Sequence, residues 1–169
     1  RVALLGDNSA RWVALDLAIM GEGAITVPLY ARQAPRELAK MVADCAPALL
    51  LCDTRERLDA LEPLVKTRAC LFGEASVEGK VEEPLPHAPS HPVRIVYTSG
   101  TSGEPKGAVF HLGNVDFMLP RVLDRVQAVM EGPAKGERVF HYLPCCFAGS
   151  WILMLACLAR GTELVFCTD

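Results

Sequence analysis

The sequence has no long hydrophobic run and no basic cluster, and each absence excludes a class of protein. The longest apolar stretch near the end of the sequence, Trp151–Ala159, covers nine residues, whereas a helix that spans a bilayer needs about 20. A net charge of −3, with no run of lysines or arginines, argues against nucleic acid as a partner and against a polybasic membrane anchor. We therefore predict a chain without a transmembrane segment that acts on small molecules.

Closely spaced metal ligands are also lacking. The seven cysteines form no C-x-x-C pair, and the four histidines lie apart from them, except for His141 shortly before Cys145 and Cys146. We predict no metal site built from these side chains. Most cysteines stand inside apolar runs, which favours reduced thiols in a core and a cytoplasmic protein, with peripheral membrane association left open. Because the sequence starts at Arg1 without a signal-peptide pattern or an initiating methionine, we expect the natural chain to begin earlier.

What the sequence does contain is a regular alternation of strand and helix patterns. With 169 residues of which 51% are hydrophobic, the chain is long enough and apolar enough to form a core. The alternation predicts an α/β fold, in which parallel or mixed sheets are covered by helices. The predicted strands are 2–5, 24–29, 48–52 and 69–72, and the predicted helices are 9–21, 35–45 and 55–64.

A proline-rich stretch divides the chain. Residues 73–92 contain four prolines and little periodicity, so we predict a long surface connection between a lobe at 1–72 and a second lobe at 93–169. In the second lobe, Pro120 lies inside a helical pattern and predicts a kink or a restart of that helix. The other predicted elements there are strands at 93–97, 107–111, 137–143 and 162–167 and a helix near 150–158.

The segment 97–107 (YTSGTSGEPKG) carries most of the recognisable chemistry. It follows a strand pattern and combines hydroxyls, glycines and one lysine, the groups that let a backbone approach an anion and donate to it. Its spacing is not G-x-x-x-x-G-K-[ST], because Lys106 is followed by Gly107. We predict a loop that binds nucleotide phosphates through Thr98, Ser99, Gly100, Thr101, Ser102, Gly103 and Lys106.

This loop resembles the phosphate-binding signature of the adenylate-forming enzymes, the superfamily of acyl-CoA synthetases, luciferases and peptide-synthetase adenylation domains. The family's usual form is close to Tyr-Thr-Ser-Gly-Thr-Thr-Gly-x-Pro-Lys-Gly, and Ser102 is the one departure. Matching segments flank it in the right order, with Gly6-Asp7-Asn8 and Val27-Pro28-Leu29-Tyr30 upstream and Tyr142-Leu143-Pro144 downstream. The resemblance implies part of the large N-terminal domain of such an enzyme.

The same resemblance implies an ATP-dependent acid–thiol ligase that uses Mg²⁺ and coenzyme A. The upstream segments look most like the fatty-acid branch, which implies a long- or medium-chain fatty acid as the carboxylic acid. Phe147 lies where relatives place an aromatic residue or a histidine beside the acyl pocket, although the histidine is missing here and the spacing is one residue shorter. We weigh a pocket residue and a core phenylalanine equally for Phe147.

The family's later elements, which bind adenine and ribose and supply a catalytic lysine, are not found in these residues. We therefore assign no catalytic residue in this chain and expect no activity of the chain alone. The oligomeric state is left open. Two alternatives remain, a phosphotransferase with an unusual nucleotide loop and a non-catalytic module that kept the fold. Among smaller expectations, Ser9 caps the first helix, Asp7 and Asn8 act as caps rather than ligands, and Cys145 and Cys146 are inert core thiols.

Overall fold

The computed structural model describes residues 1–75, 86–99, 105–130 and 136–167. Two predicted features lie partly outside these residues: Gly100 to Gly103 of the phosphate loop and 76–85 of the proline-rich connection. The strands are β1 (Val2–Leu5), β2 (Thr26–Leu29), β3 (Leu49–Cys52), β4 (Ala69–Leu71), β5 (Pro92–Ser99), β6 (Pro105–His111), β7 (Arg138–His141) and β8 (Glu163–Phe166). The helices are α1 (Ala10–Gly21), α2 (Pro35–Cys45), α3 (Arg55–Leu61), α4 (Leu112–Val129) and α5 (Ala148–Arg160), with a short 3-10 helix at Glu62–Leu64.

Six strands form one mixed sheet in the order β4-β3-β1-β2-β5-β6. All neighbouring pairs are parallel except β5 and β6, which form an antiparallel hairpin. Strands β7 and β8 form a separate parallel pair. The predicted α/β fold class is confirmed. Because β5 pairs with β2, strands from both predicted lobes share the main sheet, and the division into lobes stays a prediction.

The two faces of the main sheet are covered by different helices. Strand β1 shows why, since Ala3 and Leu5 pack into one hydrophobic cluster and Leu4 into the other, with exposures of 0% to 1%. A strand buried on both faces is typically a continuous apolar run, as β1 and β3 are. Helices α2 and α3 cover the first face with Leu38, Met41, Val42, Cys45, Leu58 and Leu61, and helices α1 and α5 cover the second with Trp12, Val13, Ile19, Trp151 and Met154.

A charged pair lies in the second face. Arg94 of β5 donates from Nη1 to the Asp16 carboxylate of α1 at 2.8 Å, and both side chains are 0% exposed. The guanidinium carbon lies 4.4 Å from the ring centre of Trp151 and 5.6 Å from that of Trp12. Burial lowers the pKa of Arg94, an effect that the Asp16 charge opposes. The pair ties the centre of the sheet to α1 and α5.

One predicted helix ends differently at a proline, and of the two outcomes predicted at Pro120 the restart was wrong while the kink stays a prediction. The helix predicted for 55–64 ends as an α-helix at Leu61 and continues as a 3-10 turn, because Pro63 has no amide hydrogen to continue the α-helical ladder. Helix α4 does not restart at Pro120 but runs unbroken from Leu112 to Val129. Pro120 and Asp116, whose carbonyl loses its usual donor, are exposed, and water can satisfy that carbonyl.

The helices bear on the prediction that the chain lacks a transmembrane segment. None of those in the described part of the chain is both long and apolar enough to cross a bilayer.

Candidate functional site

The carboxyl ends of β1 and β2 open a crevice. Helix α1 leaves β1 toward one face of the sheet and α2 leaves β2 toward the other, so the two loops diverge. Open α/β sheets bind ligands at such a divergence. A cavity of about 300 Å³ lies there. We call it the crevice, and it is lined by Gly6, Asp7, Asn8, Tyr30, Ala31, Arg32, Tyr142, Leu143, Pro144, Cys146 and Cys167.

The crevice combines aromatic rings with a cation. Tyr30 and Tyr142 line it, and the Tyr30 ring centre lies 5.4 Å from that of Phe147. Arg32 is exposed and also lines a second cavity of about 420 Å³ on the side of α2 and α3. Rings offer flat apolar surface and the guanidinium offers a charge. The crevice therefore suits a partly apolar anion.

The loop after β1 differs from the sequence prediction. Ser9 is the N-cap of α1, as predicted, and its Oγ accepts from the Trp12 amide at 3.1 Å. The prediction that Asn8 is a cap was wrong. Its Nδ2 donates to the Leu143 carbonyl and its Oδ1 accepts from the Cys145 amide, both at 2.8 Å. Ser9 already satisfies the helix end, so Asn8 is left to hold a distant segment.

Asp7 is not a cap either, because its carboxylate pairs with Arg57 of α3 at 2.6 Å. Arg57 also pairs with Asp53, and the Asp7 amide donates to the same Asp53 carboxylate at 2.9 Å. Interactions with these two carboxylates raise the pKa of Arg57 against the opposing effect of burial. Gly6 allows this approach, since a Cβ there would lie 2.9 Å from Asp53 and Phe72 atoms. The loops after β1 and β3 are thus locked together.

The β5–β6 hairpin presents the described part of the predicted phosphate loop. Thr98 and Lys106 face each other across the two strands, and both residues are exposed. Within the described residues, the Lys106 side chain has no hydrogen bond or ion pair. Ser99 ends β5, while Gly100, Thr101, Ser102 and Gly103 are not described. Of the predicted set, the structure brings together Thr98 and Lys106 at the tip of the hairpin.

The described end of the hairpin, at Thr98 and Lys106, lies at the same edge of the sheet as the crevice. Thr26 of β2 is the parallel partner of Arg94 in β5, and continuing that register places Tyr30 level with Thr98. Neighbouring strands are about 4.8 Å apart. A ligand with a phosphate group at the hairpin and another part in the crevice would therefore cross from β5 to β2.

Tyr97 and Gly107 fix the hairpin against its surroundings. The Tyr97 hydroxyl donates to the Asp44 carboxylate of α2 and lies 3.2 Å from the Met41 carbonyl. Burial, followed by this hydrogen bond, raises the Tyr97 pKa. Gly107 pairs with Tyr97, and a Cβ there would lie 2.7 Å from a methyl carbon of Ile95. These contacts account for a tyrosine and a glycine at the two ends of the sequence motif.

Phe147 does not belong to the core. Its side chain is 44% exposed, and its carbonyl accepts from the Trp151 amide at 2.9 Å in the first turn of α5. The structure therefore removes the core interpretation of Phe147. Its role in an acyl pocket stays a prediction.

Four polar or sulfur side chains between positions 141 and 150 are buried, namely His141, Cys145, Cys146 and Ser150. Burial raises the pKa of Cys145 to about 12 and that of Cys146 to about 11, which agrees with the prediction of inert thiols. His141 is 3% exposed, its Nε2 lies 2.8 Å from Ser150 Oγ, and burial lowers its pKa. The Ser150 hydroxyl in turn donates to the Leu143 carbonyl at 2.9 Å.

Sequence reasoning missed the residues that organise the crevice. Asn8 contacts Cys145 across 137 positions, and Arg94 contacts Asp16 across 78. No local pattern encodes partners so far apart. The one available signal was the unusual arginine inside the apolar strand pattern at 93–97, because an arginine is almost never fully buried without a partner.

The fold and site define a class: an open α/β sheet whose strand ends form a ligand crevice beside an exposed hairpin of hydroxyl and lysine side chains. Comparison with known proteins is consistent with this class. The AMP-binding enzyme family model matches residues 1–169, and the chain belongs to that family.

Similar proteins include two curated ligases. An indoleacetate–CoA ligase from Aromatoleum aromaticum is 35% identical over 66% of this chain and 25% of its own length. A 3-hydroxybenzoate–CoA ligase from Aromatoleum sp. is 32% identical over 83% of this chain and 29% of its own length. The chain thus spans less than a third of either relative. Among solved structures, an O-succinylbenzoate CoA synthetase from Bacillus subtilis in complex with AMP is similar in fold, with a TM-score of 0.81, 21% identity, and coverage of 98% of this chain and 42% of that one.

Proposed function

We propose that the protein containing this chain is an ATP-dependent acid–thiol ligase. In the first step, a substrate carboxylate oxygen attacks the α-phosphorus of ATP, the bond to the β-phosphate oxygen breaks, and pyrophosphate leaves. In the second, the thiolate sulfur of coenzyme A attacks the acyl carbon of the adenylate and AMP leaves. The observation that carries the proposal is the hairpin, which presents Thr98 opposite Lys106 at the sheet edge that also holds the crevice.

The hairpin residues support a role in the first step. Negative charge accumulates on the leaving pyrophosphate, and an ammonium group that is free of other ion pairs can stabilise it. Lys106 meets this condition within the described residues. We assign the phosphate contacts to Thr98, Ser99, Gly100, Thr101, Ser102, Gly103 and Lys106.

Magnesium fits this arrangement as a companion of the nucleotide. No group of three or more His, Cys, Asp or Glu side chains gathers into a metal site in the described parts of the chain. Mg²⁺ prefers oxygen ligands and usually retains waters beside substrate phosphates. When bound, it would neutralise triphosphate charge, and the Thr98 hydroxyl is an oxygen donor of the appropriate kind at the hairpin.

We propose a long- or medium-chain fatty acid as the carboxylic acid, which the resemblance of the segments around Gly6-Asp7-Asn8 and Val27–Tyr30 to the fatty-acid branch supports. A second candidate is an aromatic acid. The crevice carries Tyr30 and Tyr142 beside Arg32, and both relatives described above are named for aromatic acids. For either acid we place the enzyme in the cytoplasm and Phe147 beside the acyl pocket.

The test is acid-dependent exchange between labelled pyrophosphate and ATP, performed with the full-length protein. The panel contains fatty acids of increasing length together with benzoate, hydroxybenzoate and indoleacetate. Exchange with at least one acid above the blank without acid is the expected result. Nucleotide binding without exchange for any acid would instead favour the non-catalytic module, and phosphorylation of an added acceptor would favour the phosphotransferase.

A further inference from the structure

One wall of the crevice has no regular secondary structure. We call residues 142–146, between β7 and α5, the wall segment. The segment passes from solvent into the core along its length, since Tyr142 is 66% and Leu143 44% exposed while Cys145 is 1% and Cys146 8% exposed. A segment without a strand or helix ladder needs other partners for its buried amides and carbonyls.

Asn8 supplies two of these partners with one amide group. Its Nδ2 donates to the Leu143 carbonyl and its Oδ1 accepts from the Cys145 amide, each at 2.8 Å. Two bonds from a rigid amide to alternate residues fix both the position and the direction of the backbone, much as a neighbouring strand would. Asn8 lies directly beyond β1, so the wall segment is set relative to the centre of the sheet.

Two further side chains complete the attachment. Arg94 donates from Nη2 to the Cys145 carbonyl at 2.8 Å, and Ser150 donates to the Leu143 carbonyl at 2.9 Å. Cys145 therefore has both backbone groups bonded to side chains of other elements. Arg94 and Ser150 are 0% and 3% exposed, whereas Asn8 is half-buried and itself lines the crevice. Asn8 is thus the attachment closest to a ligand.

We propose that Asn8 is a positioning residue that determines which carboxylic acids the crevice accepts. By setting the wall segment it fixes the gap between Tyr142 on one side and Tyr30 on the other. This inference rests on the proposed ligase function. The Asn8 side chain bonds Leu143 and Cys145 and not the proposed phosphate residues Thr98 and Lys106, so we expect changes at Asn8 to leave the ATP contacts in place.

The first experiment needs no activity. In the full-length protein, hydrogen exchange of residues 142–147 is compared between wild type, Asn8→Ala and Asn8→Asp, with Asn114→Ala as the matched control. Asn114 also bonds a backbone amide at 2.8 Å, that of His111, but at the start of α4. Loss of two hydrogen bonds predicts exchange in this segment faster by roughly tenfold in Asn8→Ala. Asn8→Asp keeps the acceptor for Cys145 but sets a carboxylate oxygen against the Leu143 carbonyl oxygen, so its exchange should also be faster than that of wild type.

The second experiment measures kcat and KM for acids of increasing size. We expect Asn8→Ala to change the ratio of kcat/KM between small and large acids by roughly threefold or more, while KM for ATP stays within about twofold. Asn8→Asp, which loses the donor to the Leu143 carbonyl, should also depart from the wild-type ratio. Unchanged exchange in residues 142–147, or an equal loss for every acid, would overturn the proposal. A wild-type protein inactive with every acid would reject the ligase function and with it the selectivity role, whereas the exchange data would still show whether Asn8 holds the wall segment.

Discussion

At the scale of single residues, the side chains best placed to touch a ligand are those without a structural partner. Arg57 is held by Asp7 and Asp53, whereas Lys106 is exposed and, among the described residues, unpaired. A cation committed to two carboxylates has little charge to offer a phosphate. This contrast separates lysines and arginines that stabilise the fold from those available to the proposed chemistry.

Replacing Lys106 tests the phosphate contact. We expect Lys106→Ala to lower the rate of adenylate formation by roughly ten- to a thousandfold, the effect of losing one charged contact to a reacting phosphate. Stability should change little because the side chain is exposed. The measurement is pyrophosphate exchange, with Lys40→Ala on the exposed side of α2 as control. A rate within twofold of wild type would contradict the role of Lys106.

Replacing Phe147 tests its proposed contact with the carboxylic acid substrate. Phe147→Ala should shift the preference between short and long or flat acids and leave the ATP dependence unchanged, because the ring is exposed beside Tyr30. The unfolding free energy should fall by less than the roughly 3–5 kcal/mol of a core aromatic. Activity profiles across the acid panel provide the measurement. An unchanged profile would rule out contact between Phe147 and the acid.

At the scale of elements, the helices and strands that could be predicted are those encoded by the spacing of apolar residues close together in the sequence. Helix α2 was found within its observed bounds, since Leu38, Met41, Val42 and Cys45 repeat at helical spacing and Pro35 suits a first turn. The hairpin followed from two strand patterns around the glycine-rich motif. Local pattern could not find the partners of Arg94 or Asn8, because these contacts exist only after distant elements have packed together.

The ion pair between Asp16 and Arg94 joins three elements and gives an element-scale prediction. Asp16→Asn keeps the shape of the side chain but leaves the buried guanidinium without its counter-charge, which should cost about 3–5 kcal/mol. Asp59→Asn, on the exposed side of α3, is the control. Thermal unfolding compares the two proteins.

A double variant sharpens this test. Replacing both partners with apolar residues, as in Asp16→Leu with Arg94→Met, removes the uncompensated charge and should recover part of the lost stability. If Asp16→Asn unfolds at the same temperature as the Asp59 control, the buried pair does not stabilise the fold as described.

At the scale of the whole molecule, the chain holds the β5–β6 hairpin and the wall segment but spans only 25% and 29% of two ligase relatives. We expect the 169-residue chain alone to bind nucleotide weakly and to make no acyl-CoA. Correct orientation of reactants is worth roughly 7–11 kcal/mol of a barrier, and no residue described in this chain was assigned to the adenine or ribose.

Pyrophosphate exchange by the purified 169-residue chain checks this expectation. The full-length protein under the same conditions is the positive control, and circular dichroism establishes that the shorter chain is folded. Acid-dependent exchange by the folded short chain would show that these residues alone suffice for adenylation.

The strand order also has a consequence for biosynthesis. Strand β2 pairs with β1 on one side, but its other neighbour, β5, begins more than 60 residues later at Pro92. While the chain emerges from the ribosome, one edge of β2 therefore stays unpaired. Asp16 likewise lacks its ion-pair partner until Arg94 has been made. Burying a carboxylate without its partner is costly, so Asp16 resists premature closure of α1 against the growing sheet. We therefore expect α1 to pack only loosely against the sheet of the nascent chain until β5 has been made.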